Sequence, residues 1–175
     1  QNAPAGACHF RRLFSLPQGR ALKSDHVELA ADNAFELWVN GKKAGAGNDW
    51  QKASKIDVKS LLKAGENLLS VRAVNTAAGP AGLTGSLCIA YQDGGNVSLV
   101  TDGGWLAAAT VTNGWQTDAT DMAGWEKAKV LGPRQMAPWG PGDHGRSPAH
   151  IWFRKTIHLD APAERAFLHL ASIGY

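Results

Sequence analysis

The stretch His26–Lys42, HVELAADNAFELWVNGK, decides the fold. His26–Ala31 and Phe35–Val39 each carry the short apolar pattern of a strand. Asp32-Asn33-Ala34 leaves room only for a tight connection between them. Asn40-Gly41 follows, and both residues tolerate positive φ, so the chain turns back in a two-residue hairpin with Lys42–Ala44 as the returning strand. Three antiparallel strands within one short stretch set an all-β reading that the flanking sequence extends.

Upstream, Cys8–Leu16 reads as a strand ended by Pro17-Gln18-Gly19. Downstream, Asp57 as N-cap, Val58–Lys63 as the turn and Gly65 at C′ predict one short helix. Asn67–Asn75 alternates Leu69, Val71 and Ala73 with Ser70, Arg72 and Val74, the pattern of a half-buried strand. Thr76–Gly82 is a loop, Leu83–Tyr91 the next strand, and Gln92–Gly95 its closing turn. Val97–Thr101 and Trp105–Ala109 are short strands around Asp102-Gly103-Gly104. Asp118–Trp125 is a loop that tucks Trp125 into the core, and Lys129–Leu131 ends the region. The Pro-rich Gly132–Pro148 reads as a linker or a loop packed across the fold, followed by strands at Ile151–Leu159 and Arg165–Ala171. Roughly ten short strands with closely spaced turns predict a jelly-roll β-sandwich with one short helix.

Composition agrees with that class and excludes others. The chain has 175 residues, enough for one domain of ordinary size. It is 44 % hydrophobic and 19 % charged, which opposes a disordered chain. The net charge of +3 is spread without any long basic run, so nucleic acid is not expected as a partner. No apolar stretch is long enough to span a membrane as a helix. The 20 glycines and 8 prolines suit many turns, and 7 tryptophans supply large rigid faces for cores or for stacking. The chain opens on Gln1, as in a processed or excised chain, and its final strand pair suggests a cut inside a longer protein.

Motifs for catalysis are missing. No phosphate loop, dinucleotide fingerprint or HExxH occurs, and no His forms a short zinc-type pair with another His or Cys. His144 and His150 lie in a Pro/Gly loop, and Gly145–Ala149 lacks the final glycine of a nucleophile elbow. Asp32, Asp49, Asp57, Asp102, Asp118 and Asp121 could supply two facing carboxylates, but spacing selects no pair. A different constellation has more chemistry. Asp32-Asn33 sits at a turn, Asn75 ends a long strand, and Asn48-Asp49-Trp50 lies in a loop. Loops at one end of a jelly roll converge, and Asp and Asn oxygens with loop carbonyls suit a hard cation such as calcium. Trp50 offers a face to the C–H groups of a sugar ring. The plainer alternative makes Asp32-Asn33 a turn pair, Asn75 a strand terminator and Trp50 a core residue.

Ala30–Lys42 (AADNAFELWVNGK) resembles a sequence of galactose-binding-like β-sandwich modules in large glycosidases. Asp49-Trp50, Asp57–Gly65 with Glu66-Asn67, the strand ending at Asn75, Gly79–Leu83, Val100-Thr101-Asp102, Gly114-Trp115-Gln116, Gly124–Ala128 and Pro138-Trp139-Gly140 follow in the same order. Over residues 8–140 the chain is similar to the rhamnose-binding carbohydrate-binding module of α-L-rhamnosidases. That resemblance implies a non-catalytic, calcium-dependent module recognising terminal L-rhamnose on plant or algal polysaccharides and glycosides. It implies Asp32, Asn33, Asn75 and the Pro80 carbonyl as calcium ligands. Asp32, Asn33, Trp50 and Asn75 would contact the sugar. The expected division is a binding module over 1–140 and, over 141–175, a linker with strands that resemble the start of the neighbouring rhamnosidase β-domain. Secretion and a monomeric isolated module are expected. Cys8 and Cys88 depart from the family pattern and would be either an inter-strand disulfide or two buried thiols. A structural spacer that binds no sugar is the alternative, and an enzyme acting on rhamnose polymers is a third reading.

Overall fold

The computed structural model describes residues 2–117 and 122–132. The expected strands at Ile151–Leu159 and Arg165–Ala171, the Pro-rich stretch beyond Gly132 and the segment 141–175 lie outside the described residues. So do Asp118, Asp121, His144 and His150.

Twelve strands are described: β1 (Asn2–Ala3), β2 (Gly6–Leu16), β3 (Leu22–Asp32), β4 (Ala34–Val39), β5 (Lys42–Gly47), β6 (Ser54–Ile56), β7 (Gly65–Asn75), β8 (Gly79–Pro80), β9 (Gly82–Tyr91), β10 (Asn96–Val100), β11 (Leu106–Ala108) and β12 (Glu126–Lys127). They form a six-stranded sheet in the order β12-β11-β2-β7-β4-β5, a four-stranded sheet in the order β10-β9-β3-β6, and the small pair β1-β8. Every pairing is antiparallel. The two large sheets make the sandwich. The hairpin at Asn40-Gly41 is as the sequence requires, with φ of 50° and 79°.

Period-two alternation builds the core. Val27, Leu29 and Ala31 of β3 with Leu87, Ile89 and Tyr91 of β9 meet Phe35, Leu37 and Val39 of β4 and Leu69, Val71 and Ala73 of β7. Leu37, Val39 and Val71 have no exposure at all. Each such side chain contributes about 1.5–3 kcal/mol through its removal from water. Trp105 joins this core and donates its indole N–H to the Val100 carbonyl at 2.9 Å.

The outer face of the six-stranded sheet carries a second, smaller cluster. Trp115 is buried there, edge-on to His9 at 4.7 Å and to Trp38 at 5.4 Å. Trp125 packs at 6.2 Å from Trp115 and under the Arg11 guanidinium at 5.5 Å. It is therefore half-buried on the sheet's outer face, not tucked into the core between the sheets as the sequence suggested.

The expected helix after Asp57 shrinks to one 3-10 turn, Lys59–Leu61. Asp57 does accept the Lys59 amide at 2.9 Å, but Leu62 is already extended. The reason is Asn67, whose side chain accepts the Lys63 N–H and donates to the Lys63 and Gly65 carbonyls. Those groups are thereby satisfied without a further helical turn. Gly65, at φ 79°, opens β7. One further departure is small: a two-residue strand, β12, stands at Glu126–Lys127, just before the Lys129–Leu131 end of the region. Cys8 and Cys88 are free thiols on different sheets. Alternation places Cys88 on the face opposite Leu87 and Ile89, away from the core that β2 faces, which excludes the disulfide. Burial pushes the Cys8 thiol pKa up.

Candidate functional site

Register brings several chain connections to one end of the sandwich. Asp32 pairs with Gly82, Gly6 with Asn75, Phe35 with Gly47, and Asn2 with Pro80. The end of β3, the start of β4 and the end of β7 thus sit together with the 76–81 connection and the N-terminal segment. The loop from Asn48 to Ala53 belongs to the same end, because it leaves opposite Phe35 and re-enters at Ser54 opposite Leu29.

Asn33 makes the crossing from one sheet to the other, and the Asp32–Asn33 peptide bond is cis. Its backbone N–H donates to the Val74 carbonyl at 2.7 Å. Its side-chain oxygen accepts both the Thr76 N–H and the Thr76 hydroxyl at 2.8 Å each. Its amide N–H2 donates to Asp32 Oδ1 at 2.8 Å. Asn33 therefore ties three things together: the β3 end, the β7 end and the 76–81 connection. With both lone pairs of Oδ1 used by Thr76, this side chain orients its neighbours in the arrangement described.

Asn75 is anchored differently. Its Nδ2 donates to the carbonyls of Ala3 and Pro4 at 3.3 and 3.0 Å. Amide planarity turns its oxygen away from those carbonyls. Asp32 keeps its second carboxylate oxygen, and both Asp32 and Asn75 line one cavity of about 790 Å³. Phe10, Leu83, Val100 and Trp105 form much of the apolar wall of that cavity. Pro80 is exposed beside it, paired to Asn2 through β8. Trp50 is half-buried in the 48–53 loop at the same end, outside the cavity wall. Asp49 accepts the Gln51 and Lys52 amides and so serves as the turn-former of that loop.

The structure thus brings Asp32, Asn33 and Asn75 together at one end, with Pro80 and Trp50 on neighbouring connections. Sequence reasoning missed Thr76, which was absorbed into a loop although it directly follows Asn75. It also missed the N-terminal carbonyls of Ala3 and Pro4 and the aromatic wall of Phe10 and Trp105. Among the described residues no group of three or more His, Cys, Asp or Glu side chains could hold a metal. Any cation here would depend on amide and backbone oxygens around one carboxylate.

A two-sheet antiparallel sandwich whose polar residues and cavity sit at one end is an architecture that carbohydrate-binding domains share, and comparison with known proteins supplies the class. A model of the sugar binding domain of glycosyl hydrolases family 2 matches residues 2–92, more than half of the chain, and the chain belongs to that family. An alpha-L-rhamnosidase of Streptomyces avermitilis is 30 % identical over 151 residues, covering 83 % of this chain and 14 % of that enzyme. The crystal structure of the Streptomyces avermitilis alpha-L-rhamnosidase complexed with L-rhamnose superposes with a TM-score of 0.74 and 29 % identity. That match covers 79 % of this chain and 14 % of the rhamnosidase chain. A lectin from Pleurotus ostreatus in complex with GalNAc superposes with a TM-score of 0.72 and 35 % identity, covering 81 % of this chain and 41 % of the lectin. The chain thus spans about 14 % of the length of the rhamnosidase it resembles, and it resembles one domain of such a larger glycoside hydrolase.

Proposed function

We propose that this sugar-binding domain is a non-catalytic, calcium-dependent module for terminal L-rhamnose. In this reading it positions a secreted rhamnosidase-type enzyme on rhamnose-containing polysaccharide. The observation that carries the reading is the meeting of Asp32 and Asn75 on one cavity wall, each steered by a named neighbour. The likeness to a rhamnosidase and to a lectin supports a sugar ligand.

The residues suit a hard cation. Asp32 supplies the charge, Asn75 an amide oxygen, and the exposed Pro80 position a backbone carbonyl. Calcium takes six to eight oxygens, so about half of the set would come from water and ligand hydroxyls. When bound, the ion supplies a centre on which two vicinal hydroxyls replace water, so their stereochemistry is read. Asn33 holds Asp32 and Thr76 in place, and Trp50 packs on the methyl-bearing face of the sugar. With a single carboxylate and few buried ligand atoms, affinity falls at roughly micromolar to millimolar levels.

Calorimetric titration of L-rhamnose tests this, with calcium and then with a chelator. Binding heat that needs calcium and disappears in Asp32→Ala is the expected result. Equal binding of GalNAc would remove the rhamnose preference. Absence of heat for every sugar would leave a structural spacer as the function.

A further inference from the structure

The cavity is much larger than the proposed sugar contact needs. At about 790 Å³ it lies in the roughly 300–1,000 Å³ range of small-molecule sites, and one pyranose ring would leave most of it unfilled. Its walls are mostly apolar. Phe10 and Trp105 supply aromatic surface, while Ala73 and Ala107, on the same face as Phe10, stand where larger side chains would close the space. Asp32 and Asn75 are on that same wall. Water in such a space finds few partners, so an apolar group displaces it favourably.

We infer that this domain binds glycosides with an apolar aglycone, the terminal sugar held at Asp32 and Asn75 and the aglycone seated against Phe10 and Trp105. The inference rests on the sugar reading above and names the ligand class for the same site. The occupant must be amphipathic because polar and apolar walls share one cavity. An entirely hydroxylated oligosaccharide would cover the aromatic wall with less apolar surface than an aglycone does, and a purely apolar molecule would leave the second Asp32 carboxylate oxygen unpaired. A short polar head with an aryl or alkyl substituent satisfies both.

Titration of L-rhamnose, methyl α-L-rhamnoside and 4-nitrophenyl α-L-rhamnoside into the full chain tests it, with calcium present. The aryl glycoside is expected to bind about tenfold or more tightly than the methyl glycoside, from burial of one aromatic ring. Ala107→Phe, which fills the cavity from β11 without touching Asp32 or Asn75, should abolish that advantage and leave methyl-glycoside binding unchanged. Ala107→Leu gives the same readout at smaller volume if the larger residue compromises folding. Equal affinity for aryl and methyl glycosides in the unaltered chain overturns the aglycone site while leaving the sugar site standing. Failure of all three ligands to bind overturns both.

Discussion

Asn67→Ala removes the side chain that ends the 3-10 turn, and its cost can be worked from the contacts. Asn67 is 1 % exposed and makes four hydrogen bonds, accepting from Asn40 Nδ2 and the Lys63 N–H and donating to the Lys63 and Gly65 carbonyls. At about 1 kcal/mol each the gross loss is near 4 kcal/mol. Water can reach the exposed Lys63 and take over part of it, and Asn40 Nδ2 keeps its bond to the Leu61 carbonyl. The net cost is therefore about 2–4 kcal/mol, a large share of the 5–15 kcal/mol typical of a domain. Urea unfolding followed by tryptophan fluorescence reads this as a lower midpoint with unchanged slope. Asn67 lies at the end of the sandwich opposite Asp32 and Asn75, since Val39 pairs with Leu69 there while Ala34 pairs with Val74 at the other end. Sugar affinity of the folded variant should therefore match the parent. A loss below about 1 kcal/mol, or a change in sugar affinity, would refute the reasoning.

The remaining expectations concern charge, packing and the site. Asp25 is buried, and desolvation, helped by the charge of Asp57, raises its pKa in the folded state. The folded state then binds more protons than the unfolded one, so the stability from Asp25 is present at acid pH and is lost as pH rises through the folded pKa. Asp25→Asn should stabilise the protein at pH 7 and give no gain at pH 3, read by thermal unfolding at both. Gly85→Ala should destabilise by about 2 kcal/mol or more in urea unfolding, because its Cβ would run into the Glu28 backbone carbonyl. Thr76→Val removes the hydroxyl donor to Asn33 while keeping the backbone one, and should weaken sugar binding about two- to tenfold in calorimetry with little change in unfolding midpoint.

Much of the fold was legible because strong local rules coincide with it. Asn40-Gly41 marks a hairpin that only residues tolerant of positive φ can make, and the alternation of Leu69, Val71 and Ala73 sets a one-sided strand. The pairs β1-β8 and β11-β12 were illegible, since two residues carry no period and their pairing depends on where larger strands leave them. The helix was overread because Asp57 and Gly65 look like start and stop signals, while the turn already ends at Leu62, Gly65 opens the next strand, and Asn67, which satisfies the Lys63 groups, acts from that strand. Trp125 was assigned to the core on hydrophobicity alone, yet Arg11 and Trp115 build an aromatic layer on the outer face that no local pattern reveals. At the site, Asp32 and Asn75 were legible because turn-formers at strand ends converge in a sandwich. The cavity was not, because it depends on small side chains of β7 and β11, Ala73 and Ala107, falling beside Cys8 and Phe10 of β2.

The central claim is that one sugar is bound at the Asp32, Asn33 and Asn75 end of the sandwich. The most direct measurement is an amide chemical-shift titration of the full chain with L-rhamnose, in calcium and in chelator. Saturating shifts confined to Asp32, Asn33, Asn75, Thr76 and the 48–53 loop, lost on chelation, are the expected result. Shifts centred on the Asn40-Gly41 end or on the outer face around Trp115, or none in calcium, would contradict it.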